Sequence, residues 1–182
     1  MATNVLESIK QIPGGAAFMT AVEGAIGPFR EHPVRTAWDR LSKLPGGKEV
    51  FSRLVGEMAP YTGTLGAVVT DLDSGHAVAT LTDRRRVRNH LESIHAIALA
   101  NLGELTTGIA MMYDFPADAR GIVTRFEMEY LKKARGTLTC ECRTEPVRTA
   151  AEQEKILVGE IRNEAGELVA RATATWLVRP KA

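Results

Sequence analysis

The sequence predicts an α+β protein in which a curved antiparallel β-sheet wraps around one long apolar helix, with an N-terminal helical extension ahead of it. Three observations carry that expectation. Apolar residues recur at helical spacing over about the first 60 positions and switch to period two from Leu65 onward. A long apolar stretch, Ile94 to Met112, then breaks the alternation. Four more alternating runs follow it. Strand pair, helix, four strands is the order of a sheet with one helix laid on it.

The elements follow in order. Val5, Leu6 and Ile9 start a short helix that Pro13-Gly14-Gly15 ends, and "AAFMTAVEGAIG" forms a second, loosened by its glycines. Trp38, Leu41 and Leu44 mark a third, which "PGGK" interrupts. Val50, Phe51, Leu54, Val55 and Met58 mark a fourth, closed by Pro60. "LGAVVTDL" and "HAVATLT" flank Asp73-Ser74-Gly75, a hairpin signal. After the long helix come "IVTRFEMEYL", "GTLTCECRTE", "KILVGEIR" and "LVARATATWLV", with Asn163 to Glu167 as the turn between the last two. Ile94, Ile97, Leu99, Leu102, Leu105 and Ile109 point in almost every direction around the long helix. Such a helix is expected to be wrapped on all sides, by the curved sheet and by a second sheet paired with it. We divide the chain into a helical extension, residues 1–60, and a sheet-and-helix domain, residues 61–182.

Composition narrows the function. With 182 residues the chain suits one domain with a sizeable core. A net charge of +1 does not advertise a nucleic-acid partner. The start, "MATNVLESIK", lacks the basic and apolar runs of a signal peptide. Asn101 and Glu104 argue against reading Ile94 to Met112 as a membrane span, so a cytoplasmic protein without a membrane partner is expected. Cys140 and Cys142 lie two apart on one strand face and read as reduced strand residues, consistent with a reducing compartment. No His/Cys cluster has metal spacing, no G-x-S-x-G supports a serine hydrolase, and "PGGKEV" lacks the remainder of a phosphate loop. No metal and no cofactor are expected.

The chemistry-bearing residues cluster around the long helix. Glu104 sits in an apolar helix, and carboxylates are rarely buried unless paired. It is either a general base or nucleophile, or a carboxylate bonded to neighbouring backbone. His95 either caps the helix start or takes part in the chemistry, and Asn89 is equally readable as a turn residue. Nine residues separate His95 from Glu104, which on one helix means opposite sides and about 13 Å along the axis. They are therefore unrelated, or they meet between two copies in a twofold dimer. Arg84, Arg85, Arg86 and Arg88 precede this region; Lys132, Lys133 and Arg135 follow the first strand after the helix. Such runs are either solvated faces or phosphate contacts.

Asn89, His95 and Glu104, following a hairpin and leading into an apolar helix, resemble the pattern of the hotdog-fold acyl-CoA thioesterases. In the phenylacetate-type subgroup an Asn precedes "HGG", and an acid lies nine residues beyond that His. "EYLKKARG" and "NEAGELVARATATWLV" resemble the end of a central strand and the closing hairpin of that family. The resemblance covers about residues 60 to 180, and "APY" before the first strand is similar to an uncharacterised bacterial subgroup. It implies a hotdog domain over 61–182 and hydrolysis of an acyl-CoA or acyl-carrier thioester in a homodimer, or in a tetramer of paired dimers, a choice that no residue of the sequence decides. Glu104 would be general base or nucleophile, His95 and Asn89 its helpers, and the Ala96 amide the oxyanion donor. Arg86, Arg88, Lys132, Lys133 and Arg135 would contact the substrate's CoA. Two departures stand out: "HGG" is "HAI" here, and Val123 with Thr124 replaces a small polar residue of the following strand. The rival readings are a hotdog 3-hydroxyacyl dehydratase, on the fourteen-residue spacing of His90 to Glu104, and a non-catalytic acyl-CoA-binding regulator.

Overall fold

The computed structural model describes residues 32–181. The two helices expected over residues 5–12 and 16–27 lie outside the described residues.

Helix α1 (Pro33–Leu41) starts with proline in its first turn, where the missing N–H has no helical partner to lose. It buries Ala37, Trp38 and Leu41. Leu44, expected to continue this helix, is exposed in the turn that follows. That turn reverses so tightly that a side chain at Gly47 would collide with the carbonyl of Leu41. Helix α2 (Gly47–Met58) buries Phe51 and Leu54. The Phe51 ring meets Trp38 edge-on, with centroids 5.1 Å apart. Pro60 does more than close α2. Ala59 before it, at φ −126° and ψ 82°, lies outside the helical region that a following proline disfavours, and Pro60 opens a further short helix, α3 (Pro60–Leu65). Gly66, at φ 61°, ends it.

Six antiparallel strands follow: β1 (Val68–Asp73), β2 (His76–Leu81), β3 (Ala119–Tyr130), β4 (Leu138–Arg143), β5 (Gln153–Arg162) and β6 (Leu168–Pro180). They form one sheet in the order β1-β2-β4-β5-β6-β3. The β1–β2 hairpin turns through Ser74-Gly75, with Asp73 paired to His76 and Gly75 at φ 68°. In β3, Thr124 is the extra residue of a bulge between the Val123 and Arg125 pairs. Its hydroxyl donates to the Thr175 carbonyl at 3.2 Å.

Helix α4 (Ala96–Met112) lies against the inner face of this sheet. The sheet accommodates it with small side chains, Ala77, Ala79, Ala170, Ala172 and Ala174, all at 0% exposure. Cys140 and Cys142 share that face and are free thiols. Burial pushes both up to about 12, so they are protonated packing groups.

Two hydrophobic clusters divide the core. One joins Trp38, Phe51 and Leu54 to the C-terminal half of α4 and to Trp176 and Val178 of β6. Helices α1 and α2 thus share a core with the sheet, each buried Leu, Phe or Trp contributing about 1.5–3 kcal/mol. The other surrounds the start of α4, with Leu81, Val87, Leu99, Leu102, Leu138 and Ile161. Among the described residues no helix is long and apolar enough to cross a membrane.

The expectation that α4 is wrapped on every side is corrected within a single chain. Ile97 is 52% exposed and Glu104 is exposed. Seven residues apart, they fall within about 20° of each other around the axis and mark one uncovered stripe.

Candidate active site

The start of α4 is held from three directions. A 3₁₀ turn, Arg85–Val87, leads into a loop whose ends pair through Arg88 and Ile94. The His95 N–H donates to the Val87 carbonyl at 2.7 Å, and the Ile94 N–H to Ala134 at 2.8 Å. Asn89 builds the loop between them. Its Oδ1 accepts from Leu91 N–H at 2.9 Å, Ser93 N–H at 3.3 Å and the Ser93 hydroxyl at 3.2 Å. In the same loop Glu92 has φ 53°, the one non-glycine positive φ among the described residues. The turn reading of Asn89 is therefore realised by its oxygen.

His95 is the N-cap of α4. Its Nδ1 accepts the N–H of Ile97 at 3.0 Å. An imidazole accepting at Nδ1 carries its proton, when neutral, on Nε2. The first bond of the helix runs from Leu99 N–H to the His95 carbonyl at 3.1 Å. The N–H groups of Ala96, Ile97 and Ala98 consequently have no helical acceptor, and His95 satisfies only the middle one. Ala96 and Ala98 keep donors at the positive end of the helix dipole, an arrangement suited to a developing oxyanion.

A cleft of about 320 Å³ opens here, lined by Tyr61, Arg86, Arg88, His95, Ile97 and Asn101 among others. A larger apolar cleft, about 550 Å³, lies between α2, α3 and the start of β1, with Leu105 of α4 at one side. It contains none of the polar residues singled out in the sequence, so volume alone does not locate the chemistry. Thr64 of α3 lines both clefts.

The basic residues separate into two groups. Arg88 Nε donates to Asp83 at 2.6 Å, and Asp83 also accepts the Gly136 N–H at 3.1 Å. The Arg88 hydrogen bond, the largest cause, holds the Asp83 carboxyl below its usual range, with burial opposing it. Arg135 donates to the carbonyls of Glu92 at 3.2 Å and Leu91 at 3.3 Å. Lys132 donates to Glu167 at 2.6 Å. These three brace the loop and the closing hairpin. Arg86 and Lys133 are exposed, and among the described residues no side-chain hydrogen bond or ion pair engages either.

Asn89, His95 and Ala96 come together at the helix start, whereas Glu104 stands two and a half turns away on the opposite side of α4. His90, the partner a dehydratase reading requires, is exposed in the turn. One residue escaped the sequence reading as a site candidate. Asn101 is 6% exposed, and its Oδ1 is buried without a hydrogen-bond partner. The only signal for it was an amide inside an apolar run. Among the described residues no group of His, Cys, Asp or Glu could hold a metal ion.

Known structures share this architecture. The structural-genomics protein APC5556 is 27% identical, with a TM-score of 0.69, over 80% of this chain and 97% of its own. A Pseudomonas aeruginosa protein of unknown function, designated a probable thioesterase, is 24% identical with a TM-score of 0.65, over 75% of this chain and 97% of its own. A phenylacetic acid degradation-related protein of Ralstonia eutropha JMP134 is 24% identical with a TM-score of 0.57, over 69% and 97%. No curated protein matches the chain. A family profile, "Domain of unknown function (DUF4442)", matches residues 47–178 and so takes in α2 as well as the sheet. The chain belongs to that family, and its fold is the hotdog fold that these structures share.

Proposed function

We propose that the protein hydrolyses acyl thioesters, of CoA or of an acyl carrier, at a site completed by a second copy of the chain. The observation that carries this reading is the uncovered stripe on α4. The helix is buried on its other sides, yet it presents Glu104 outward, out of reach of its own His95. Two features favour a second copy there. Strand β3 ends the sheet order, so its twelve residues have a strand neighbour on one side only among the described residues. Ile122 and Tyr130 of that strand are exposed, as is Ile97 on the helix. The probable-thioesterase designation of the Pseudomonas structure agrees with the reading.

In this mechanism the thioester carbonyl oxygen takes the Ala96 N–H, with the Nε2–H of His95 as a second donor. Glu104 of the second copy draws a proton from water, whose oxygen adds to the carbonyl carbon. The C–S bond then breaks, and the thiolate recovers that proton as the free acid leaves. A direct attack by the carboxylate, through an anhydride that water opens, uses the same placement. The Asn89 amide N–H orients the water or the carbonyl, while its oxygen keeps the loop closed. Arg86 and Lys133 are the cations available for the phosphates of the carrier.

Thiol release is measured over short, long and aryl acyl-CoAs with wild type and Glu104→Gln, beside sedimentation of both. Hydrolysis predicts turnover by wild type, a loss of about 100-fold or more in the variant, and a dimer in each. Acyl-CoA binding without thiol release, unchanged in the variant, would instead establish a non-catalytic binder.

A further inference from the structure

The inner part of the smaller cleft contains a polar group that the proposed chemistry leaves unused. Asn101 lies on α4 six residues beyond His95, about 9 Å further along the axis. Asn101 is one of the residues that line the same cleft. Its Oδ1 has no donor in reach, although the residue is more than nine-tenths buried. Buried polar groups are ordinarily satisfied, and an orphaned one lowers the folded population relative to an apolar residue of similar size. Leu99 and Leu102 beside it show that leucine suits this helix. An acceptor kept at this depth in a cleft fits a donor that arrives with the ligand.

Depth decides which part of the ligand delivers it. Arg86 and His95 are exposed at the mouth, and Tyr61 is 66% exposed beside them. A thioester with its charged carrier at Arg86 and its carbonyl at His95 points its acyl portion inward, toward Asn101. We propose that Asn101 is the specificity contact of this cleft, its carboxamide oxygen accepting a hydrogen bond from a hydroxyl or N–H on the acyl portion of the substrate. This assignment rests on the thioester reading for the orientation of the ligand. The size of the cleft, about 320 Å³, suits a short acyl group. A site built around a buried hydrogen bond discriminates against the analogue lacking the donor, because the acceptor is then left unpaired.

The test uses non-hydrolysable thioethers, so it does not depend on turnover. S-butyl-CoA is compared with S-(3-hydroxybutyl)-CoA and S-(4-hydroxybutyl)-CoA by calorimetry on the full-length protein and on Asn101→Leu. The expected result is binding of at least one hydroxylated probe about tenfold or more tighter than S-butyl-CoA, and a ratio near one in the variant. Thermal unfolding of Asn101→Leu checks that it folds, and Asn101→Ala repeats the comparison if it does not. Equal binding of all three probes by wild type, or binding of none, overturns the proposal. So does an equal loss for all three in the variants, which would place the contact on an amide of the carrier arm. A dead thioesterase assay beside an intact hydroxyl preference would instead remove hydrolysis and leave the contact standing.

Discussion

His95 Nδ1 accepts the backbone N–H of Ile97 at 3.0 Å, so one ring nitrogen holds the helix while the other remains available. The two duties separate by substitution. Asparagine is among the best N-caps, and replacing a cap by alanine costs about 0.5–2 kcal/mol. His95→Asn is expected to keep most of the stability of wild type, whereas His95→Ala loses about 1 kcal/mol in chemical denaturation. Both variants remove the Nε2 donor, so both are expected to lose thiol release together. Full activity in His95→Asn would reduce the histidine to a cap.

Gly103 sets two rules against each other. Alanine in place of a mid-helix glycine gains about 1 kcal/mol from helix propensity. Yet a Cβ at Gly103 would collide with the Ala172 side chain on β6. Both partners belong to closely packed backbone elements, and overpacking costs about 1–3 kcal/mol or more. The collision wins, so Gly103→Ala is expected to be less stable than wild type in urea unfolding. A rise in stability would mean that the helix rests further from the sheet. Gly108 offers a milder comparison, since its added Cβ would meet the Trp176 ring at 3.0 Å. Gly108→Ala is expected to lose less than Gly103→Ala.

Asp83 links acid stability to the site. Its carboxyl is held below the usual range, first by the Arg88 hydrogen bond. A lowered folded value means that the unfolded chain binds the proton more readily. The contribution of Asp83 is therefore complete above the ordinary carboxylate value of about 4 and is lost as pH falls through the lower folded value. Asp83→Asn is expected to destabilise the protein at pH 7, with the gap to wild type narrowing as pH drops toward 3. Urea midpoints at the two pH values check it. A constant gap would assign the cost to the lost Gly136 N–H contact alone.

Local chemistry explains which parts of this structure could be read from residues. Asp73-Ser74-Gly75 announces its hairpin, and Asn163 does the same for the last one, its Oδ1 accepting from Ala165 at 3.1 Å and Glu167 at 3.0 Å. Proline is ambiguous in this respect. Pro60 ends one helix and starts another, and spacing in a six-residue helix is too short to declare itself. The apolar content of α4 predicted burial correctly for Leu99 and Leu102. It did not reveal which stripe stays open, because that depends on how far the sheet curls. Residue types and spacing suggested Asn89, His95 and Glu104 as site candidates. What the basic residues do was hidden, since Lys132 meets Glu167 and Arg135 meets the 91–92 carbonyls across long separations in the chain. Asn101 was invisible as a site residue for a related reason: only packing shows that its oxygen lacks a partner.

The two thiols provide a measure of how tightly the sheet is sealed against α4. Cys140 and Cys142 are at 0% and 1% exposure, and burial raises both to about 12. A free cysteine at pH 9 is largely thiolate, since its ordinary value is about 8.5. At about 12 only about one thiol in a thousand is ionised at that pH, and exclusion of the reagent slows the reaction further. Folded protein at pH 9 is expected to react with a disulfide reagent more than 100-fold slower than free cysteine, and unfolded protein to react fully at both sites. The residual rate in the folded state then follows local opening of β4 from its neighbours, so it should rise with urea well before the global transition. Prompt reaction of one thiol in the folded protein would show that the sheet lifts from the helix at that strand, and would count against the tight approach argued for Gly103 and Ala172.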